Sequence, residues 1–129
     1  IICFESIYGE YVTEYTRKGS NLFAIITNDG WWDVSEGHKQ HLSYAKLRAI
    51  ENRRNVVRSA NTGISAVINY KGEIIKSIGY GEEGFINAEV SLLNKTTFYV
   101  KYGDFIFRLS LFFLIIITLH FLSTILRIK

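Results

Sequence analysis

The chain has 129 residues, 48% of them apolar and 21% charged, a balance that excludes a disordered tail and suits one small domain or part of a larger one. Its formal charge of +3 is unevenly placed: residues 1–104 carry all twelve acids and twelve of the fifteen Lys and Arg, so that stretch is neutral. No basic face remains for a phosphate backbone, and nucleic-acid binding is set aside.

Residues 1–4 are an apolar run, and a helix is predicted to open just beyond with Ser6 as its cap, although Gly9 stands where a capping box wants Glu. Residues 22–27, LFAIIT, form a continuous apolar run of strand length, suited to a sheet covered on both faces. Asn28-Asp29-Gly30 ends it with turn chemistry. From His38 to Asn55 the pattern is helical, with Leu42, Ala45 and Ala49 at three- and four-residue spacing. Residues 56–60 read as a strand, and residues 64–70 and 73–78 as a hairpin turning at Lys71-Gly72. Gly79, Gly81 and Gly84 predict a mobile loop before a last strand over residues 85–90. This order predicts a mixed α/β domain.

Leu109 to Leu126 is eighteen residues without a formal charge. At 1.5 Å per residue it reaches roughly 27 Å, close to the hydrocarbon thickness of a bilayer. A buried core helix is disfavoured because the apolar residues go all the way round. A signal peptide would stand at the other end of a chain. Ser110, Thr118, Ser123 and Thr124 are suited to bonding back to helix carbonyls, and His120 to facing another helix. The surplus cations Arg108, Arg127 and Lys129 bracket the span; the last two predict a cytoplasmic C-terminus. The absence of Met and Pro, with a start on Ile1-Ile2, leads to the expectation of a piece cut from a longer reading frame.

One Cys allows no disulfide within the chain. Cys3 sits where an apolar run meets a helix start, a place that exposes a thiol, favours a thiolate and offers amide N–H groups to an oxyanion. A buried inert Cys is the plainer alternative. His38 and His41, one turn apart, are too few for zinc with no further Cys, so no metal and no cofactor are expected. A papain-like pairing of Cys3 with His41 has no signature in its favour. Trp31-Trp32 predicts either core anchoring or a wall facing lipid or ligand.

Ile2-Cys3-Phe4-Glu5, then Thr27-Asn28-Asp29-Gly30-Trp31-Trp32, then Gln40-His41-Leu42 with Leu47-Arg48-Ala49-Ile50-Glu51, then Arg58-Ser59-Ala60-Asn61-Thr62-Gly63-Ile64-Ser65 follow in order, with Tyr102-Gly103-Asp104 before the span. This series resembles the nitrilase, or carbon–nitrogen hydrolase, superfamily, and within it the integral-membrane branch of apolipoprotein N-acyltransferases. The resemblance implies an α/β fold: the C-terminal half of a nitrilase-like αββα sandwich over residues 1–104, followed by one transmembrane helix and a short tail over residues 105–129. It implies a Glu–Lys–Cys catalytic set in which Cys3 takes an acyl chain from phospholipid as a thioester. The amine of a diacylglyceryl apolipoprotein then accepts that chain. The Phe4 N–H would help hold the oxyanion, Glu5 would support the site, and Trp31 would border a lipid-facing pocket. The Glu and Lys belong to family segments upstream of the Cys, and neither Glu10 nor Lys18 is put in their place. A bacterial inner membrane with a periplasmic domain is the implied location, and the chain alone is expected to be inactive. A membrane-tethered amidase and a non-catalytic membrane-anchored binding module are the alternatives.

Overall fold

Burial alternates along β1 (Leu22–Asn28): Phe23, Ile25 and Thr27 are covered, whereas Ala24, Ile26 and Asn28 are open. The computed structural model describes residues 1–128, so Lys129 lies outside the described residues. Helices α1 (Gly9–Arg17) and α2 (Gly37–Asn52) cover one sheet face. Val12, Leu42, Ala45 and Ala49 meet Phe23, Ile25, Val56, Ala66 and Ile68 in a single core. The expectation of two covered faces therefore holds for one.

β2 (Asn55–Asn61) runs parallel to β1 after the α2 crossover, with Phe23 opposite Val56 and Ile25 opposite Arg58. β3 (Ser65–Ile68) and β4 (Ile74–Ile78) add an antiparallel hairpin, giving the order β1-β2-β3-β4. The turn falls at Lys71-Gly72, as predicted. Asn69 builds it, its Oδ1 accepting from the N–H groups of Lys71 and Glu73 at 2.9 and 3.0 Å.

Three local readings need correction. Ser6 caps no helix: a 3-10 turn, Cys3–Ile7, intervenes, α1 starts at Gly9, and Ser6 is buried beneath it. α2 stops at Asn52 rather than Asn55, because Arg53 turns left-handed at φ 51°. Residues 85–90 form no strand, and residues 79–97 hold neither helix nor strand. Three of their carbonyls are taken by side chains on or just before the strands instead: Lys76 donates to Asn87, Asn55 to Ser91 and Arg54 to Lys95, at 2.6 to 2.7 Å. Ile86 and Ala88 lie against the open sheet face beside Ala24, Ile26 and Val57.

A short helix that periodicity did not suggest, α3 (Phe98–Tyr102), is capped by Thr97, whose Oγ1 accepts from the Val100 N–H at 3.1 Å. It leads into α4 (Phe105–Ile128), which contains the predicted span and is long and apolar enough to cross a membrane. None of its span is buried against the domain. Thr118, Ser123 and Thr124 bond back to carbonyls of the same helix, as expected.

The joint between domain and span is held by Glu10. Its Oε1 accepts from the Asp104 N–H and from the Arg108 guanidinium, both at 2.7 Å, while Arg108 also reaches the Tyr102 carbonyl at 3.1 Å. Gly103 sits between at φ 68° and ψ −156°, a region essentially reserved for glycine, and a Cβ there would overlap the Glu10 carboxylate. Gly103→Ala should loosen this joint by about 1–3 kcal/mol. The expected readout is faster proteolytic cleavage near residues 98–104 in micelles, with the sheet core as resistant as before.

Candidate active site at Cys3

The chain reaches Cys3 alongside β1: the Ile26 N–H donates to the Ile1 carbonyl at 3.1 Å, and Ile2 bridges to Ile26 in parallel. The backbone then reverses, with Cys3 at φ 46°, in the left-handed region where a side chain with a Cβ is strained. The 3-10 turn that follows leaves the thiol partly exposed. Glu5 braces the turn, its Oε2 accepting from the Ile2 N–H at 2.7 Å and its Oε1 from the Tyr11 hydroxyl at 3.1 Å. The Ile2 bond above all holds the Glu5 carboxyl below its ordinary range, with Tyr11 adding to it. Tyr11 in turn is pushed up to about 12 by its hydrogen bonds to Tyr15 and then Glu5.

Beneath the turn lies a polar cluster centred on Asp29, which has no exposed surface. Arg58 donates to Asp29 Oδ2 at 2.6 Å and also bonds the Ile64 carbonyl. His41 Nδ1 stands 2.9 Å from Asp29 Oδ1, and Thr27 Oγ1 stands 3.1 Å from the same oxygen. Burial pushes the Asp29 carboxyl up, but the hydrogen bonds from His41 and Arg58, with the Arg58 charge, outweigh it and hold the group below its ordinary range. Asp29 is therefore an anion, and His41 Nδ1 carries a proton toward it. His41 Nε2 meets the buried Ser6 hydroxyl at 3.0 Å, and Ser6 Oγ meets the Cys3 carbonyl at 2.8 Å. Phe4 stacks on the His41 ring at 5.5 Å between centroids, and Trp32 packs edge-on to it at 5.2 Å.

Above the turn an open groove of about 980 Å³ starts at Cys3 and ends at Asp104 and Phe107, the first turn of α4. Ile2, Phe4, Ile7 and Phe107 make much of its wall apolar.

Residues 1–96 match the carbon-nitrogen hydrolase family. The chain belongs to that family. A solved carbon-nitrogen hydrolase from Helicobacter pylori overlays 64% of this chain and 36% of its own length with a TM-score of 0.55 at 16% identity, which supports the fold alone. Curated relatives bear the name apolipoprotein N-acyltransferase. That of Geobacter metallireducens is 42% identical over 104 residues, covering 81% of this chain and 20% of the relative. That of Bradyrhizobium diazoefficiens is 44% identical over 105 residues, covering 81% and 19%. That of Borreliella burgdorferi is 34% identical over 122 residues, covering 94% and 23%, so its match runs into α4. The chain thus spans about a fifth of the length of these relatives.

In this carbon–nitrogen hydrolase chain, Cys3, Phe4 and Glu5 all line the groove. Trp31 does not join them: it is 81% exposed and lies off the groove, while its neighbour Trp32 takes the packed position against Phe4 and His41. His41 spends its ring nitrogens on Ser6 and Asp29, so it forms no papain-like pair with Cys3. His38 packs against Tyr80 at 4.5 Å, away from His41's partners. Sequence reasoning singled out none of Ser6, Thr27, Asp29 or Arg58 as site residues. The usable signal was polarity in register: Thr27 and Arg58 occupy the buried face of two paired strands.

Asp29→Asn would leave Arg58 as an uncompensated buried charge. Its expected cost is about 3–5 kcal/mol, read from thermal or denaturant unfolding in micelles. The pH dependence has a defined sign. Because the folded carboxyl is held low, its contribution is complete above the unfolded value of about 4 and is lost as pH falls further. The parent should therefore lose stability below about pH 4, and Asp29→Asn should lose less over that window.

Proposed function

We propose that Cys3 is the nucleophile of an acyl transfer from phospholipid to the N-terminal amine of a diacylglyceryl-cysteine apolipoprotein. The observation that carries this reading is the groove, which joins the strained Cys3 turn to the base of a helix able to cross a membrane. A lipid whose headgroup stays at the interface can lay an acyl ester along such a groove, and the names of the relatives point the same way. The Cys3 thiolate attacks the ester carbonyl; the new C–S bond forms as the ester C–O bond breaks, and the lysophospholipid alcohol leaves with a proton. The acceptor amine then attacks the thioester, forming the amide, releasing the thiolate and giving up a proton to a base. Phe4's backbone N–H is assigned to the oxyanion and Glu5 to bracing the turn. The resemblance assigns the base and a further oxyanion donor to a Glu and a Lys upstream in the family's order. Trp31, exposed on its loop, is assigned to contact with lipid.

In this reading residues 1–104 belong to a periplasmic catalytic domain and residues 105–129 anchor it in the bacterial inner membrane, with Arg127 on the cytoplasmic side. In the same reading the 129-residue chain by itself is inactive, since its sheet has one open apolar face and the resemblance assigns the base and the Lys to other family segments.

The test is the intact mass of the membrane-embedded protein carrying this chain, before and after neutral hydroxylamine. A fatty-acyl increment on Cys3 that hydroxylamine removes, and that Cys3→Ala abolishes, is the expected result. A free Cys3 in the presence of phospholipid, shown by alkylation, would overturn it.

A further inference from the structure

The bonds under the turn close on themselves. From Cys3 Sγ the path runs 3.3 Å to Thr27 Oγ1, 3.1 Å to Asp29 Oδ1 and 2.9 Å to His41 Nδ1. It continues 3.0 Å from His41 Nε2 to Ser6 Oγ and 2.8 Å back to the carbonyl of Cys3. The ring begins on the sulfur of one residue and ends on its own backbone. We propose that Thr27 is a further catalytic residue of this site, whose hydroxyl moves its hydrogen bond from Asp29 to the Cys3 sulfur when the thiol ionises. This rests on reading Cys3 as the nucleophile.

Proton counting supports the swap. Thr27 has one hydroxyl proton and two acceptors in reach, and Asp29, an anion, only accepts. With Cys3 as a thiol, S–H donates to Thr27 Oγ1 and Thr27 O–H donates to Asp29. When the S–H bond breaks and its proton passes to solvent or to the base of the site, the sulfur becomes an acceptor only. The Thr27 O–H then turns to it by rotation about one bond. Asp29 is not left bare, because Oδ1 keeps His41 and Oδ2 keeps Arg58. Thr27 is itself fixed: it is 5% exposed and paired with Ala60 of the neighbouring strand. The bond given up is one of three on the Asp29 carboxylate, whose charge His41 and Arg58 continue to satisfy, whereas the bond gained is made to a newly charged sulfur, so the swap favours the thiolate.

Other charged or titratable groups face the same sulfur region. Glu5 and Tyr8 come from the turn, Glu10 and Tyr11 from α1, Tyr99 from α3 and Asp104 from the base of α4. His41 and Arg58 stand behind Asp29. All are retained when Thr27 alone is changed, so they cancel in the comparison.

The experiment follows the rate of Cys3 alkylation by iodoacetamide against pH in the membrane-embedded protein, with the labelled peptide quantified by mass. Thr27→Val should raise the midpoint by about one pH unit, and Thr27→Ser should return it to the parent value. An unmoved midpoint in Thr27→Val would overturn the assignment. The unsubstituted protein gives a second reading that needs no folded variant: the infrared S–H stretch, isolated by difference against Cys3→Ser. A stretch shifted down by donation to a hydroxyl supports the ring, and a free-thiol frequency overturns it. If the midpoint moves but no hydroxylamine-labile acyl group forms, the Thr27 assignment stands and the acyl-transfer reading falls. If the thioester forms with an unmoved midpoint, the Thr27 assignment falls alone.

Discussion

One buried charge organises the described domain. Asp29 has no access to water, and removing an unpaired carboxylate from water costs several kcal/mol, so its place depends on the partners that surround it. Arg58 comes from β2, His41 from α2 and Thr27 from β1, with Asp29 itself on the turn after β1. Three segments far apart in sequence, residues 27–29, His41 and Arg58, are thus tied at one point, and they are the segments that make the β1–α2–β2 unit. A hydrophobic core tolerates sliding among residues of similar shape. A charge with three directed partners does not, and it ties β1, β2 and α2 together at that point.

The same point explains why so many polar residues lie on a face that should be apolar. Phe23, Ile25, Val56 and Ile68 fill the lower part of the helix-covered face. Toward the C-terminal ends of β1 and β2 the inward positions change to Thr27 and Arg58. Ligand sites of α/β sheets gather at such strand ends. Cys3 arrives there because residues 1–2 run parallel to β1 and turn over its end. On the outer side, Glu10 binds the backbone and Arg108 where the span begins, so the first residues of α1 face the groove and hold the joint to α4. An exposed ion pair alone contributes little. Here the carboxylate also takes a backbone N–H beside a glycine that no other residue replaces freely, which gives the joint a defined geometry.

The elements with a strong period were legible from the residues. β1 and α4 stand out as apolar runs of strand and membrane-span length, the β3–β4 hairpin as two runs around Lys71-Gly72, and α2 as a helical repeat whose buried residues Leu42, Ala45 and Ala49 follow its period. The failures share a cause. Residues 85–90 have strand-like composition, but the Asn87 carbonyl is captured by Lys76, and those of Ser91 and Lys95 just beyond by Asn55 and Arg54, donors distant in sequence whose reach no local pattern encodes. Ser6 looks like a cap locally, yet the partner that decides its role is His41, 35 residues away. In the candidate site, Cys3 drew notice because a thiol where an apolar run meets a helix start carries a chemical reason of its own. Thr27, Asp29 and Arg58 stood within recognised stretches, but their joint role exists only once the sheet is formed. Trp31 and Trp32 are identical in type and adjacent, and only the fold separates the exposed one from the packed one.

The strain at Cys3 and the buried charge are two sides of one arrangement. A residue with a Cβ held at φ 46° costs on the order of 1–3 kcal/mol, so the turn would relax if nothing opposed it. What opposes it acts on both ends of the residue: Ser6 on the carbonyl and Thr27 on the sulfur, each anchored through His41 or directly on Asp29. Neither contact would suffice alone, since a single hydrogen bond contributes about 1 kcal/mol. Together, tied to an anion that Arg58 keeps in place, they are commensurate with the strain they offset. A change at Asp29 therefore reaches the thiol even though no bond joins the two directly. The stability of the β1–α2–β2 unit and the posture of Cys3 are coupled through the same carboxylate.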